Sequence, residues 1–285
     1  MRYCGREFTA EELELIRQLI AEKPPRNRAQ LSRVVCERLG WYKADGGLKD
    51  MSCRVAMLRM HKDGLIGLPP ARTRNGNGRP YTRSSPATDP GLPLAQPVDQ
   101  LSDLRLDIVA NRRESHLWNE YIQRYHYLGY QPLPGAQMRY LAHAQGQVVA
   151  LLGFGAAAWK TAPRDRFIGW SPEQRQQRLH RIVNNARFLI LPWITCLNLA
   201  SKLLATVARR MPRDWQNRYG YSPVLLETFV EAERFEGTCY RAANWTHVGQ
   251  TQGRGKLDSK HRAQLAVKDI WLYPLTRDFK KHLCD

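Results

Sequence analysis

Apolar residues in the first quarter of the chain recur at helical spacing in three places. Thr9 stands three residues before Glu12, the spacing of a capping box, and Leu13, Ile16, Leu19 and Ile20 behind it share one helical face. Asn27 precedes a second such stretch, in which Leu31, Val34, Val35 and Leu39 fall on one side and Gly40 supplies a stop. A third follows Asp50 and runs to Gly64, with Met51, Val55 and Leu58 as its expected apolar face and Arg54, Arg59 and Lys62 left for solvent. Residues 65–68 are suited to a short strand or wing. Three helices and a wing within residues 1–70 predict a helix-turn-helix or winged-helix module whose last helix enters a DNA major groove. The competing reading is a helical docking domain with a solvated basic face.

The pattern breaks at residue 71. From there to about residue 104 the chain is crowded with Pro, Gly, Ser and Asn and reads as a flexible linker. Its early part holds Arg72, Arg74, Arg79 and Arg83, which suit a phosphate backbone. Periodicity returns in a helix that starts near Ser115 and ends near Gly129, with Leu117, Tyr121 and Ile122 facing a core. Tyr125, His126 and Tyr127 form an aromatic cluster at its end, placed either to stack on bases or to cap the core. Residues 140–159 read as two antiparallel strands turning at Gln145 and Gly146. Residues 159–179 interleave Arg164, Arg166, Arg175 and Arg178 with aromatics, a pattern suited to backbone or single-strand contact, or to a solvated loop and helix.

Residues 188–194 form an apolar run closed by Pro192 and Trp193, which predicts a buried strand. A helix follows, with Asn198 as cap, an apolar face of Leu197, Leu199, Leu203, Leu204, Val207 and Ala208, and Arg209 and Arg210 at its negative end. Strand 224–230, a short helix over 239–244 and strand 245–250 complete the alternation. Strands joined by a helical crossover pair in parallel with a right-handed connection, so an α+β fold with a mixed sheet is expected over residues 105–285. This order resembles the C-terminal half of the Gcn5-related acetyltransferase fold. There a strand leads to the acyl-CoA-binding helix and the next strand splays away. The resemblance implies a glycine-bearing loop whose backbone N–H groups hold a pyrophosphate. Residues 195–201 contain no glycine, so acetyl-CoA is not expected as a cofactor.

The charge balance points to a class of partner. Lys and Arg number 44 against 26 Asp and Glu, a formal net charge of +18. Such an excess favours a polyanion, double- or single-stranded DNA, as partner, with a soluble basic enzyme as the alternative. Hydrophobic residues make up 43% of the chain, enough for a real core. No apolar run approaches a membrane span and the first residues lack the apolar core of a signal peptide, so a cytoplasmic location without membrane contact is expected. Six scattered cysteines, with no Cys-x-x-Cys, support neither a zinc module nor a disulfide framework.

Five stretches agree in wording with a known family: LKDMSCRVAMLRMHKDGLI, RYHYLGYQPLPGAQMRYL, LGFGAAAWKTAPRDRFIGW, RIVNNARFLILPW and LLETFVEAERFEGTCYRAANWTHVGQTQGRG. Together they resemble the DruA family of the Druantia anti-phage defence system. The resemblance implies a role in defence or in a mobile element, with partner defence or transposition proteins, and supplies no catalytic residue. Candidate chemistry therefore rests on the residues themselves. Glu227, Glu231, Glu233 and Glu236 precede Cys239, Tyr240 and Arg241. Carboxylates at a strand end suit Mg²⁺ and phosphodiester cleavage, with Glu227 as the metal ligand and Tyr240 or Cys239 as nucleophile. Alternatively Glu227 pairs with an arginine, Arg187 being the nearest expected, and the later three form a solvated loop. Expected DNA contacts are Arg54, Arg59, Lys62, Arg74, Arg79, Arg164, Arg166, Asn185, Arg187, Arg254 and Lys256. Three readings stand: a DNA-binding protein that nicks or remodels DNA, an acyl-CoA-dependent acyltransferase, and a partner scaffold without catalysis.

Overall fold

Two units, Met1–Arg79 and Pro80–Asp285, divide the chain in a computed structural model that describes every residue except 23–24, 73–83, 134 and 254–264. In the first unit a small antiparallel pair, β1 (Arg2–Tyr3) and β2 (Arg6–Glu7), precedes three helices: α1 (Ala10–Ala21), α2 (Arg28–Arg38) and α3 (Asp50–Lys62). Thr9 caps α1 through a reciprocal bond with Glu12, and Asn27 caps α2 in the same way with Gln30. Each such cap contributes about 1 kcal/mol. Leu13, Ile16, Leu31, Val35, Cys53 and Met57 meet in a core that Phe8 and Trp41 close.

Two expectations for this unit are corrected. The buried face of α3 is Cys53, Ala56, Met57 and Met60, whereas Met51, Val55 and Leu58 are exposed. Both sets have helical spacing, and the small Cys53 and Ala56 permit the closer approach to α2. No wing forms over residues 65–68. There Leu65 N–H bonds back to Met60 O and Ile66 joins the core. The connection from α2 to α3, residues 39–49, contains a Tyr42–Leu48 bridge and is longer than the ~3–4-residue turn of a helix-turn-helix.

The second unit is built on a seven-stranded sheet. In chain order its elements are β3 (Arg105–Ile108), α4 (Arg112–Tyr125), β4 (Met138–Ala144), β5 (Gln147–Ala156), α5 (Ala162–Ile168), α6 (Pro172–Arg178) and β6 (Ile182–Ile190). Then come α7 (Leu199–Tyr219), β7 (Leu225–Glu231), α8 (Thr238–Ala242), β8 (Thr246–Gln250), β9 (Lys268–Pro274) and α9 (Phe279–Cys284). The spatial order is β3-β4-β5-β6-β7-β9-β8. All pairs are antiparallel except β6 with β7, which α7 joins as a crossover. This is the α+β, mixed-sheet architecture expected. The turn at Gln145 and Gly146 has φ of 48° and 73°, the left-handed pair that a two-residue hairpin requires.

Several boundaries move. The strand expected at 188–194 starts at Ile182 and ends at Ile190, because Val183 and Ile182 are its most buried residues and Leu191 begins a turn. It neighbours β7 only through its first half, upstream of Phe188. Helix α7 runs on to Tyr219 with Pro212 inside it, so Arg209 and Arg210 lie mid-helix, and Leu197 precedes it in the open. Asn198 occupies the cap position at φ 62° without a side-chain cap bond.

Most of the expected linker belongs to the larger unit. Residues 84–104 carry the buried Thr88, Leu94 and Leu101. Thr88 donates to Glu120, Tyr125 Oη donates to Thr88 O, and Leu94 runs beside the turn after β6, exchanging bonds with Trp193 O and Thr195 N–H. Arg74, Arg79 and Arg83 lie outside the described residues.

Candidate functional site

The single parallel pair of the sheet is also its weak seam. β6 and β7 are hydrogen-bonded only from Ile182 opposite Leu225 to Asn185 opposite Thr228. Beyond that, β6 stays with β5 while β7 follows β9, so the two strands splay. A register shift opposite Gly153 and Phe154 leaves Ala186 as an extra residue in β6 and bends the strand at the fork. Gly153 is required there. A Cβ on it would lie 2.8 Å from the Trp118 ring and 3.3 Å from Arg187 Cβ.

The fork opens into a cleft of about 1490 Å³, lined by both splayed strands, the end of α4, the start of α5 and residues 234–240. That volume exceeds the ~300–1,000 Å³ of most small-molecule pockets. At its apex Tyr240 Oη donates to Asn185 Oδ1 at 2.9 Å, and Asn185 Nδ2 donates to the carbonyls of Gly153 and Arg187. Both side chains are buried, and burial pushes the Tyr240 phenol well above its ordinary range. A neutral phenol held in this way is a hydrogen-bonding group at the floor of the cleft rather than a ready nucleophile. Cys239 also lines the cleft, and burial raises its thiol.

Glu227 is not in the cleft. It has no exposed surface, Oε2 accepts from Arg164 Nη1 at 2.8 Å, and Oε1 accepts from Ala158 N–H at 2.8 Å. Its partner is therefore Arg164, not Arg187. Burial pushes the carboxyl up and Arg164 opposes this, with both oxygens engaged by N–H donors. Arg164 in turn pairs with Asp165, which also holds Arg175. This arrangement does not fit Mg²⁺: the carboxylate has no open side, and no group of three His, Cys, Asp or Glu side chains capable of holding a metal occurs among the described residues. The same burial withdraws Arg164 from DNA contact. Asn185, 4% exposed and fully engaged, is withdrawn likewise.

Arg187 remains, and its surroundings are unusual. It is half-buried on the cleft wall, and among the described residues Nη1 donates only to the adjoining Ala186 O at 2.7 Å and Nε is buried without a partner. Burial lowers its pKa, and the Tyr127 phenol is the one group that opposes this. Around it stands a platform in which His126 stacks on Tyr127 at 4.9 Å and 24°, Phe235 lies 5.4 Å from Tyr127, and Arg234 sits 4.7 Å from the Tyr127 ring centre. Tyr127 and Phe235 are exposed. Among the described residues, Lys160, Arg166, Arg187, Arg234 and Lys268 line the cleft against one carboxylate, Glu236, and Glu231 lies beside the Tyr127 phenol.

The sequence anticipated Arg166, Arg187 and the Tyr125–Tyr127 cluster at this place. It missed Lys160, Arg234, Phe235 and Lys268. Arg234 and Phe235 sit between the glutamates of EAERFEG, whose charges drew the eye to metal chemistry, although an Arg-Phe pair in an exposed turn was the available signal. In the first unit Arg59 and Lys62 are exposed as expected, and Arg54 is half-buried and paired with Asp50 at 3.1 Å. Arg254 and Lys256 lie outside the described residues.

Burial and the Arg187 charge lower the pKa of His126 from 6.5 to about 4. The unfolded chain then takes its proton first, so the folded state should lose stability as pH falls from 6.5 towards 4. Because the ring is only half-buried, the slope should stay below the ~1.4 kcal/mol per pH unit of one fully differential proton. Denaturant unfolding of wild type and His126→Gln at neutral and mildly acidic pH checks this. The variant should lose less stability on acidification, and parallel losses would refute the assignment.

The family model described as Druantia protein DruA matches residues 59–263. No curated protein matches the sequence. Among solved structures, the Drosophila melanogaster polyamine N-acetyltransferase is similar at 11% identity and a TM-score of 0.38, over 60% of this chain and 100% of that one. The Escherichia coli ribosomal-protein-S18-alanine N-acetyltransferase is similar at 9% identity and a TM-score of 0.37, over 60% and 95%. An acetyltransferase of the GNAT family from Streptococcus pneumoniae is similar at 12% identity and a TM-score of 0.39, over 60% and 100%. At these scores the likeness carries no argument about activity. No helix among the described residues is long and apolar enough to cross a membrane.

Proposed function

We propose that this chain, which belongs to the DruA family of Druantia proteins, serves anti-phage defence by binding DNA, with the splayed cleft of its larger unit as the principal contact. The supporting observation is the lining of that cleft, five Lys and Arg side chains to one Glu among the described residues, in a chain of net charge +18. A groove of one sign with low-dielectric walls concentrates polyanions, and phosphate neutralisation releases counterions. Arg166 and Arg187 contribute from the cleft, and Arg54, Arg59 and Lys62 give the smaller unit a basic helix of its own. No DNA-cleavage step is assigned, since Glu227 is occupied by Arg164.

One observation favours a second reading, acyl transfer. The fork between β6 and β7, with Tyr240 at its apex, is a shape that could seat an acyl-pantetheine arm. Against it, residues 195–201 carry no glycine, and Thr195 N–H is taken by Leu94 O at 2.8 Å, so that donor is not free for a pyrophosphate. Titration of the whole chain with DNA and, separately, with acetyl-CoA decides between them. Salt-sensitive DNA binding with no acetyl-CoA heat is expected. Micromolar or tighter acetyl-CoA binding without DNA binding would reverse the order.

A further inference from the structure

We propose that the cleft takes one unstacked nucleotide of a single DNA strand, with its phosphate on Arg187 and its base on the platform of Tyr127, Phe235 and Arg234; this rests on the DNA-binding reading above.

Arg187 marks the phosphate end of the site. A guanidinium carries five N–H donors and cannot shed its charge in a protein. Here it is half-buried with its Nε donor buried and unpartnered, and burial is the first cause of its lowered pKa. Arg139, also pushed down by burial, is held by the neutral Asn119 and Ser115, and two other buried or half-buried arginines have carboxylates. Arg164 has Glu227 and Asp165, and Arg210 has Asp214 at 3.2 Å. An unpaired, partly desolvated cation costs stability that a bound anion restores. The fork in the sheet and the extra residue at Ala186 hold it in that position.

The platform marks the base end of the site. Exposed aromatic rings are costly on a surface, and Tyr127 and Phe235 are 37% and 45% exposed at the same cleft. Arg234 lies over the Tyr127 ring, and His126 packs against it. With its charged form suppressed, His126 supports that ring as a neutral aromatic. Aromatic faces beside an arginine stack on any base, but only on one that has left a duplex. A regular duplex could reach the exposed Lys160 and Arg166 at the rim with its phosphates, but it could not present a base face to the platform. The combination therefore selects single strands, or a nucleotide flipped from a duplex, over paired DNA.

Fluorescence anisotropy of the full chain with a labelled single-stranded oligonucleotide, a duplex of equal length and a strand of abasic sites tests this with the wild-type protein. The single strand is expected to bind about tenfold or more tighter than either of the others, the gain of roughly one stacked base. The pair Tyr127→Ala with Phe235→Ala should remove the preference over the abasic strand, and Arg187→Ala should weaken the single and the abasic strand together and so remove the preference over the duplex, of which Arg187→Lys retains part. Arg209→Ala, exposed on α7 outside the cleft lining, should leave both preferences intact. Circular dichroism establishes that each variant is folded. Equal affinity for all three probes, or a preference that survives the cleft variants, would overturn the nucleotide subsite while leaving DNA binding in place. Failure of every probe to bind at low salt would overturn both.

Discussion

Arg164→Ala is expected to destabilise the larger unit by about 3–5 kcal/mol, because it strands the buried Glu227 carboxylate without a cation. The pair is shared between two otherwise separate parts of the chain. Glu227 belongs to β7, an interior strand of the sheet, and Arg164 to α5, and Ala158 between β5 and α5 donates its N–H to Glu227 and accepts from Arg164 through its carbonyl. Neither side chain has any exposed surface, so water cannot substitute for the lost partner. Glu227→Gln should cost less, since Arg164 keeps Asp165 at 2.8 Å. Substituting both, Arg164→Met with Glu227→Leu, should cost less than the sum of the single changes, the signature of a coupled pair. Urea unfolding midpoints measure all of these. A loss under ~1 kcal/mol for Arg164→Ala would mean that the pair is not a structural anchor.

The DNA affinity of the wild-type chain is expected to fall about a hundredfold between ~50 and ~200 mM salt. Five neutralised phosphates on a single strand give a log–log slope of roughly −3.5, and a fourfold change in salt multiplies it into about two decades. Reversing three exposed cleft charges, Lys160→Glu, Arg166→Glu and Arg234→Glu, should lower low-salt affinity by about a hundredfold or more and flatten the slope by roughly two units. All three side chains are exposed, so folding should be retained. An unchanged slope in this variant would place the phosphate contacts outside the cleft.

What the sequence disclosed depends on whether the signal was local. Caps at Thr9 and Asn27 and the hairpin turn at Gln145 and Gly146 are written in two to four adjacent residues, and all were legible. The strand–helix–strand order around α7 was legible for the same reason, as alternating periodicity. The face of α3 was not, since apolar residues surround that helix and only the neighbours choose between Met51 and Met57. Strand β9 follows the 254–264 segment and inserts between β7 and β8, a non-sequential placement that no local pattern announces. The docking of residues 84–104 was hidden because its anchors, the apolar Leu94 and Leu101 and the hydrogen-bonded Thr88, stand isolated in a Pro-rich stretch. At the site, Arg187 and Tyr127 were recognisable as basic and aromatic, but Arg164 and Arg187 look alike in sequence. Only the tertiary structure assigns one to Glu227 and leaves the other without a carboxylate among the described residues.

Contact between a base and the cleft can be read directly by photocrosslinking the full chain to a single strand that carries 5-iodouracil, followed by mass-spectrometric mapping of the joined peptides. Iodouracil couples preferentially to aromatic side chains stacked on it, and Tyr127 and Phe235 are the exposed rings of the cleft. Crosslinks at Tyr127 or Phe235 that an excess of unlabelled single strand competes away are the expected result. Crosslinked peptides confined to Met1–Arg79, with none from the cleft, would contradict it.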